Sequence, residues 1–213
     1  MILQQYKIVF AGSMGAGKTE AIRSLSDIPV LLTEAFNTDQ HSHAKLETTV
    51  GIDYGEVSLD DGLKIGLYGT PGQSRFDFIW PVICRGAIGA VILIDHNAEA
   101  PLQELESYLE TFQNYTDNIA IGITHVDGTL KSTHIYKEWL LSQDLFSPLF
   151  FIDARKKEDV LLLLEALITS VFFPDLYTTF PVERTETALP PTELILREAA
   201  LAPGFTTTTY FSS

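Results

Sequence analysis

The stretch G-S-M-G-A-G-K-T, residues 12–19, matches the phosphate-binding pattern G-x-x-x-x-G-K-[ST] at every fixed position, and this match decides the fold class. A strand-like run at 6–11 precedes it, and apolar residues at helical spacing follow over 20–25. Its glycines let successive N–H groups point at a polyphosphate, Lys18 adds a positive charge, and the Thr19 hydroxyl can ligate Mg²⁺. The expected phosphate contacts of this phosphate loop are Gly12, Met14, Gly15, Ala16, Gly17, Lys18 and Thr19.

Composition limits the classes of function. The 213 residues, 46% of them hydrophobic, suffice for one α/β domain with a core and an appendage. The formal net charge of −14 argues against nucleic acid or an anionic membrane surface as a partner. The single cysteine, Cys84, cannot form an internal disulfide, and the sequence shows neither a signal-like opening nor an apolar run of membrane-spanning length. We therefore expect a cytoplasmic protein without direct membrane insertion.

Helix-like and strand-like segments alternate along the chain. This alternation predicts a mostly parallel six-stranded sheet with helices on both faces, the α/β architecture of a P-loop NTPase. Strand-like runs at 49–59 and 63–68 flank the hairpin signal Asp60-Asp61-Gly62, so one antiparallel edge strand is expected. The polar stretch 33–45 is interpreted as a mobile loop.

The character of the chain changes after residue 173, where prolines and threonines interrupt the periodicity. One short helix is expected at 192–201. We predict a nucleotide-binding domain at 1–173 and a C-terminal extension at 174–213. The extension either packs over the domain or binds a partner.

Four further segments carry candidate nucleotide contacts. They read T-V-G-I-D at 49–53, G-T-P-G-Q-S-R-F at 69–76, T-H-V-D at 124–127 and D-A-R at 153–155. Open α/β sheets place ligands beyond the carboxyl ends of their strands, where such segments are expected. Together with the phosphate loop, their order and spacing resemble the small GTPases of the Ras superfamily over about 6–172.

The resemblance implies roles around the phosphates. Segment 49–53 resembles the first switch, in which Thr49, or Thr48 if the alignment slips by one residue, contacts Mg²⁺ and the γ-phosphate. Segment 69–76 resembles the second switch, in which the Gly72 N–H contacts the γ-phosphate and Gln73 orients the attacking water. The implied catalytic residues are Gln73, Lys18 and Thr49, and the implied metal contacts are Thr19 and Thr49.

The resemblance also implies contacts with the base. The Asp127 carboxylate would accept two N–H groups of guanine, which adenine cannot offer in that arrangement, and the backbone N–H of Ala154 would bind the guanine carbonyl. The implied base-site residues are Thr124, His125, Asp127, Asp153, Ala154 and Arg155. GTP and GDP with Mg²⁺ are therefore the expected cofactors.

Three positions depart from the usual pattern of this superfamily. Gly69 replaces the acidic residue that steadies Mg²⁺ through water, Met14 replaces a small residue, and His125 replaces a lysine. The glycine at 69 with Pro71 before Gly72 resembles the bacterial MglA-like GTPases. It also resembles a bacterial group related to the β subunit of the signal-recognition-particle receptor. These groups imply a Roadblock/LC7-type activator or another effector protein as a partner.

The predicted function is a GTP-dependent molecular switch with slow hydrolysis, in bacterial cell polarity or surface motility by family-level resemblance. A catalytically silent nucleotide-binding scaffold is the main alternative, and Gly69 and Met14 favour it. A P-loop kinase would need a lid with arginines, and the region 33–149 is poor in arginine. An ATP-specific switch is the third alternative.

Overall fold

The computed structural model describes residues 5–36, 49–59, 64–126, 132–143, 145 and 147–173. The strands of this part are β1 (Gln5–Ala11), β2 (Leu31–Phe36), β3 (Thr49–Ser58), β4 (Lys64–Gly69), β5 (Gly89–Asp95), β6 (Ile119–Thr124) and β7 (Leu149–Phe151). The helices are α1 (Lys18–Leu25), α2 (Trp80–Cys84), α3 (Pro101–Phe112), α4 (His134–Ser142) and α5 (Lys157–Phe172), and a 3₁₀ helix (Ser74–Ile79) leads into α2.

Several predictions fall outside the described residues. They concern Thr48, Asp127, the hairpin turn at 60–62 and the extension at 174–213. Strand β3 begins at Thr49, but the side chain of this residue is not among those described. The roles given to Thr49 and Asp127 therefore stay predictions.

The strands form one sheet in the order β2-β3-β4-β1-β5-β6-β7. Strand β1 is parallel to β4 and β5, and the pairs β5–β6 and β6–β7 are also parallel. Strand β3 is antiparallel to both of its neighbours, so it is the one reversed strand of the described sheet. The α/β fold class is confirmed, although the sheet has seven strands where six were expected, and the reversed strand lies next to the edge.

The additional strand corrects one interpretation. Residues 33–36, where the polar composition predicts the start of a mobile loop, belong to β2, which pairs with β3 from Leu31↔Tyr54 to Phe36↔Thr49. The polar composition of 33–45 hid this strand. A backbone pairing partner that lies about twenty residues away in sequence cannot be recognised from local composition.

Side chains of the central strands point alternately to the two faces of the sheet, so the core has two halves. Ile8 and Phe10 of β1 pack with buried side chains of α1 and α5, whereas Val9 and Ala11 pack with those of α2, α3 and α4. Successive strand residues point to opposite faces, so helices cover both sides of the sheet as predicted. Complete burial of an α1 side chain such as Ile22 stabilises the fold by about 1.5–3 kcal/mol.

Within the described residues, no helix combines the length and the apolarity needed to cross a lipid bilayer.

Candidate functional site

The phosphate loop follows β1 and needs glycine at its first position. Gly12 has φ 142°, and a Cβ there would lie 2.2 Å from the carbonyl oxygen of Leu93. The loop ends at Gly17, which has φ 96° and precedes α1 without a side-chain cap. The first-turn N–H groups of a helix lack intrahelical partners, so the start of α1 offers hydrogen-bond donors to an anion.

Lys18 lies inside this loop. Its side chain is 7% exposed, and Nζ donates hydrogen bonds to the carbonyl oxygens of Gly12 at 2.8 Å and Ser13 at 2.7 Å. Burial lowers the pKa of Lys18 to about 8, partly opposed by the negative charge of Asp53. The ammonium group is therefore mostly charged at neutral pH and already sits among the loop atoms that would surround a phosphate.

The second switch contacts the phosphate loop directly. The Met14 N–H donates to the Gly72 carbonyl oxygen at 3.1 Å, and a Cβ at Gly72 would lie 2.6 Å from Met14 N and 2.8 Å from Lys18 Nζ. Gln73 Nε2 lies 3.9 Å from the Met14 sulfur, and the Met14 side chain is 75% exposed. The structure thus brings Gly72, Gln73 and Met14 together at the phosphate loop.

A cavity of about 410 Å³ lies between the phosphate loop, β3 and the start of the second switch. Its lining includes Lys18, Thr19, Asp53 and Thr70. The Thr19 hydroxyl donates a hydrogen bond to Asp53 Oδ2. Thr70 is 3% exposed, and its hydroxyl oxygen has no hydrogen-bond partner among the described residues. Hydroxyl and carboxylate oxygens are the donor types that Mg²⁺ prefers, so these residues fit the predicted ion.

Asp53 lies within the first-switch segment, but the sequence pattern alone does not indicate a role for it. The signal that could have found it is an acidic residue in a strand whose partner strand ends at Gly69, the position where an acid was missing. In the described part of the chain, no group of three or more His, Cys, Asp or Glu could hold a metal. A divalent ion here would depend on phosphate oxygens as well, which is usual for Mg²⁺.

Thr124 joins the base side of the site to the phosphate loop. It ends β6, is 1% exposed, and its hydroxyl lies 3.1 Å from the Ala16 carbonyl oxygen and 3.2 Å from that of Ile94. A single hydroxyl proton is shared between these two acceptors. Thr124 therefore connects the segment after β6 to the phosphate loop, in addition to its predicted place at the base.

His125 follows in a left-handed conformation with φ 56°. Its Nδ1 lies 3.2 Å from Asp95 Oδ1, and its carbonyl oxygen accepts a hydrogen bond from Asn97 Nδ2 at 2.8 Å. The imidazole is 50% exposed. The loop after β5 thus fixes the direction of His125, where the related proteins are expected to carry a lysine.

The loop after β7 completes the described base side. Ala154 is buried, and a Cβ at Gly17 would lie 3.0 Å from the Ala154 Cβ, so this loop also reaches the phosphate loop. Arg155 donates hydrogen bonds to both carboxylate oxygens of Asp153, at 2.8 and 2.7 Å. These hydrogen bonds hold the pKa of Asp153 well below its usual range. Arg155 is thereby oriented, although its side chain is 74% exposed.

A second cleft, of about 660 Å³, opens beside Met14 and Gln73 on the α3 side of the second switch. Three carboxylates line it, those of Asp95, Glu99 and Glu104. The Oε2 atom of Glu104 is buried without a hydrogen-bond partner among the described residues. Arg75 also lines the cleft, so three carboxylates and one guanidinium lie next to the predicted catalytic glutamine.

Comparisons with known proteins agree with this geometry. The Ras family profile matches residues 7–130. Ras-related protein RABA1c of Arabidopsis thaliana is 28% identical over 120 residues, which are 54% of this chain and 50% of that protein. Ras-related protein RIC2 of Oryza sativa subsp. japonica matches to the same extent.

A third relative is MJ1339, an uncharacterized protein of Methanocaldococcus jannaschii. It is 27% identical over 136 residues, which are 62% of this chain and 78% of that protein. The chain spans about half the length of the plant relatives it matches. Because the family profile covers more than half of the chain, the chain belongs to the Ras family.

Proposed function

We propose that this protein is a molecular switch that binds GDP and GTP with Mg²⁺ and hydrolyses GTP slowly. The observation that carries the proposal is the buried Lys18 inside a phosphate loop on which Gly72 of the second switch is docked. A γ-phosphate bound in this loop lies within reach of both elements. Its presence or loss therefore changes the position of the second switch.

The phosphates are held by the N–H groups of 12–19 and by Lys18. Thr19 and Thr49 supply the protein's oxygens to Mg²⁺, and the unpartnered hydroxyl of Thr70 supports a polar ligand in the same cavity. When bound, Mg²⁺ neutralises charge that develops on the phosphate oxygens. Asp127 and the Ala154 N–H select guanine, while Thr124 keeps the base loop attached to the phosphate loop.

In the proposed hydrolysis, Gln73 orients a water molecule for in-line attack on the γ-phosphorus, and the bond to the β-phosphate oxygen breaks. The chain has no arginine between Asp27 and Ile83 except Arg75, so the first switch carries no arginine of its own. Turnover is slow for this reason. An activating protein of the Roadblock/LC7 type or another effector accelerates it, and the acidic cleft beside Gln73 can receive a basic side chain of that partner.

The proposal also assigns the chain to a subgroup of these GTPases. Gly69 and Pro71 before Gly72 support a place in the bacterial MglA-like group or the group related to the signal-recognition-particle receptor β subunit. A cytoplasmic role in cell polarity or surface motility goes with that assignment.

The decisive experiment is to identify the nucleotide released from the denatured purified protein by chromatography. We expect GDP or GTP, and a much higher affinity for both than for ATP in a subsequent titration. Asp127→Asn should reduce the preference for guanine without abolishing phosphate binding. Release of adenine nucleotides, or equal affinities for GTP and ATP, would refute the guanine assignment.

One observation favours a catalytically silent scaffold as the second candidate. The Met14 sulfur lies 3.9 Å from Gln73 Nε2, where it can hinder the approach of this side chain to water. A single-turnover GTP assay of the wild type against Gln73→Ala distinguishes the two. The switch predicts slower cleavage in the variant, whereas the scaffold predicts no cleavage in either protein.

A further inference from the structure

Position 69 lacks the acidic side chain expected there, but a carboxylate stands beside it. Gly69 of β4 pairs with Asp53 of β3. A Cβ built on Gly69 would lie 3.1 Å from the Asp53 Cβ and 3.4 Å from its Oδ2. Directly paired residues of antiparallel strands project their side chains to the same side of the sheet. The Asp53 carboxylate therefore occupies the region that a side chain at 69 would enter.

The partners of Asp53 are the groups expected to meet the ion and the phosphates. Its Oδ2 accepts the hydrogen bond of the Thr19 hydroxyl, and its charge acts on the buried ammonium of Lys18. Both partners belong to the phosphate loop. The Asp53 carboxylate, on a half-buried residue of the neighbouring strand, therefore reaches the phosphate loop.

The unpartnered Thr70 hydroxyl is an independent indication that a polar ligand belongs in this cavity. Thr70 follows Gly69 directly and lines the same space as Thr19 and Asp53. A buried hydroxyl without a hydrogen-bond partner is costly, and in a polar cavity a ligand oxygen or water usually satisfies it. The cavity of about 410 Å³ has room for such a ligand.

We propose that Asp53 is the acidic positioning residue of the Mg²⁺ site, in place of the acid missing at 69. This inference rests on the proposed nucleotide-dependent function. With the ion bound, the Asp53 carboxylate would accept a hydrogen bond from one of its water ligands. The Thr70 hydroxyl would be a second polar group in contact with those water ligands. Loss of such an outer partner typically lowers metal affinity by about 10–100-fold.

The test follows the retention of a fluorescent GDP as free Mg²⁺ is lowered with a chelator. Asp53→Asn should raise the Mg²⁺ concentration for half-maximal retention by about 10–100-fold. The exchange Asp53→Gly/Gly69→Asp returns one carboxylate to the cavity from the other strand, so most of the wild-type midpoint should be recovered. Glu56→Gln is the matched control, because Glu56 lies on the same strand and pairs with Tyr54 and Lys64, away from the cavity. Its midpoint should equal that of the wild type.

The outcomes separate the inference from the function beneath it. If the wild type retains no GDP at any Mg²⁺ concentration, the proposed function fails. If the wild type depends on Mg²⁺ but Asp53→Asn has an unchanged midpoint, the inference is overturned and the function stands. A shift that the exchange does not recover also overturns the equivalence of positions 53 and 69. Circular dichroism checks folding, and if Asp53→Asn does not fold, the exchange variant against Asp53→Gly decides the question.

Discussion

Different kinds of chemical group form the phosphate side and the base side of the site. On the phosphate side, main-chain groups of 12–19 surround the buried Lys18, and the second switch packs on them. On the base side, the described contacts come largely from side chains that solvent reaches, with His125 50% and Arg155 74% exposed. Thr124 and Ala154 are buried, and both lie against the phosphate loop.

This difference determines which substitutions each side of the site tolerates. Main-chain donors do not depend on residue identity, so Met14 can stand in the phosphate loop without removing an N–H. A side-chain contact changes with every substitution, and the departure at His125 therefore alters the base side directly. Substitutions on the phosphate side are expected to have larger effects on nucleotide affinity than substitutions on the base side.

Lys18→Ala should abolish most of the phosphate-side affinity. Truncating a buried charge that faces an anionic ligand costs about 2–5 kcal/mol, or roughly 30- to 4,000-fold in affinity. Titration with fluorescent GDP measures the loss. Lys137→Ala removes an exposed lysine of α4 and should leave the affinity unchanged. Equal affinities in the Lys18 variant and the wild type would contradict the proposed role of Lys18 in phosphate binding.

Gly72→Ala should separate GTP from GDP binding. The added Cβ would lie 2.6 Å from Met14 N, so the second switch must move off the phosphate loop. Overpacking of this kind costs about 1–3 kcal/mol, and we expect GTP affinity to fall roughly 5- to 150-fold. GDP affinity should change less, because GDP lacks the phosphate that Gly72 contacts. Parallel titrations with GDP and a non-hydrolysable GTP analogue measure both, and equal losses would contradict this role.

Thr124→Val should loosen the connection between the two sides. The change keeps the shape but removes the hydroxyl that bonds to the Ala16 and Ile94 carbonyls. We expect a loss of about 1–2 kcal/mol in unfolding free energy and up to roughly tenfold in GDP affinity. Thr124→Ser retains the hydroxyl and should recover most of both. Urea unfolding measures the change in stability, and titration measures the change in GDP affinity. If Thr124→Ser lost as much of both as Thr124→Val, the hydrogen bonds would not be the cause.

Nucleotide affinity should fall as pH rises through the pKa of Lys18, about 8. The free protein loses the Lys18 charge above this pH, while phosphate binding favours the protonated form, so binding weakens on the alkaline side. Between pH 6.5 and 8.5 we expect roughly a fourfold decrease, from the titration of one such group. The Lys18→Ala variant is the control and should show a flat profile over this range. A wild-type profile equally flat would show that the Lys18 charge does not change there.

Much of this organisation could be predicted from the sequence. The strand-like run at 6–11 lies in β1, at Gln5–Ala11, and the apolar residues at helical spacing over 20–25 lie in α1, at Lys18–Leu25. Apolar periodicity and glycine spacing are local signals that survive in the fold. Strand β2 was missed because its polar residues are held by pairing with β3, which is a non-local interaction.

The sequence by itself determined the phosphate loop and the alternation of strands and helices. Glycines at 12 and 17 permit the positive φ angles that the loop adopts there, and this pattern can be recognised without coordinates. The tertiary structure decided which residues meet across strands, above all that Asp53 stands beside Gly69. Sixteen positions separate these two residues in the chain, and the register of one antiparallel pair brings them together.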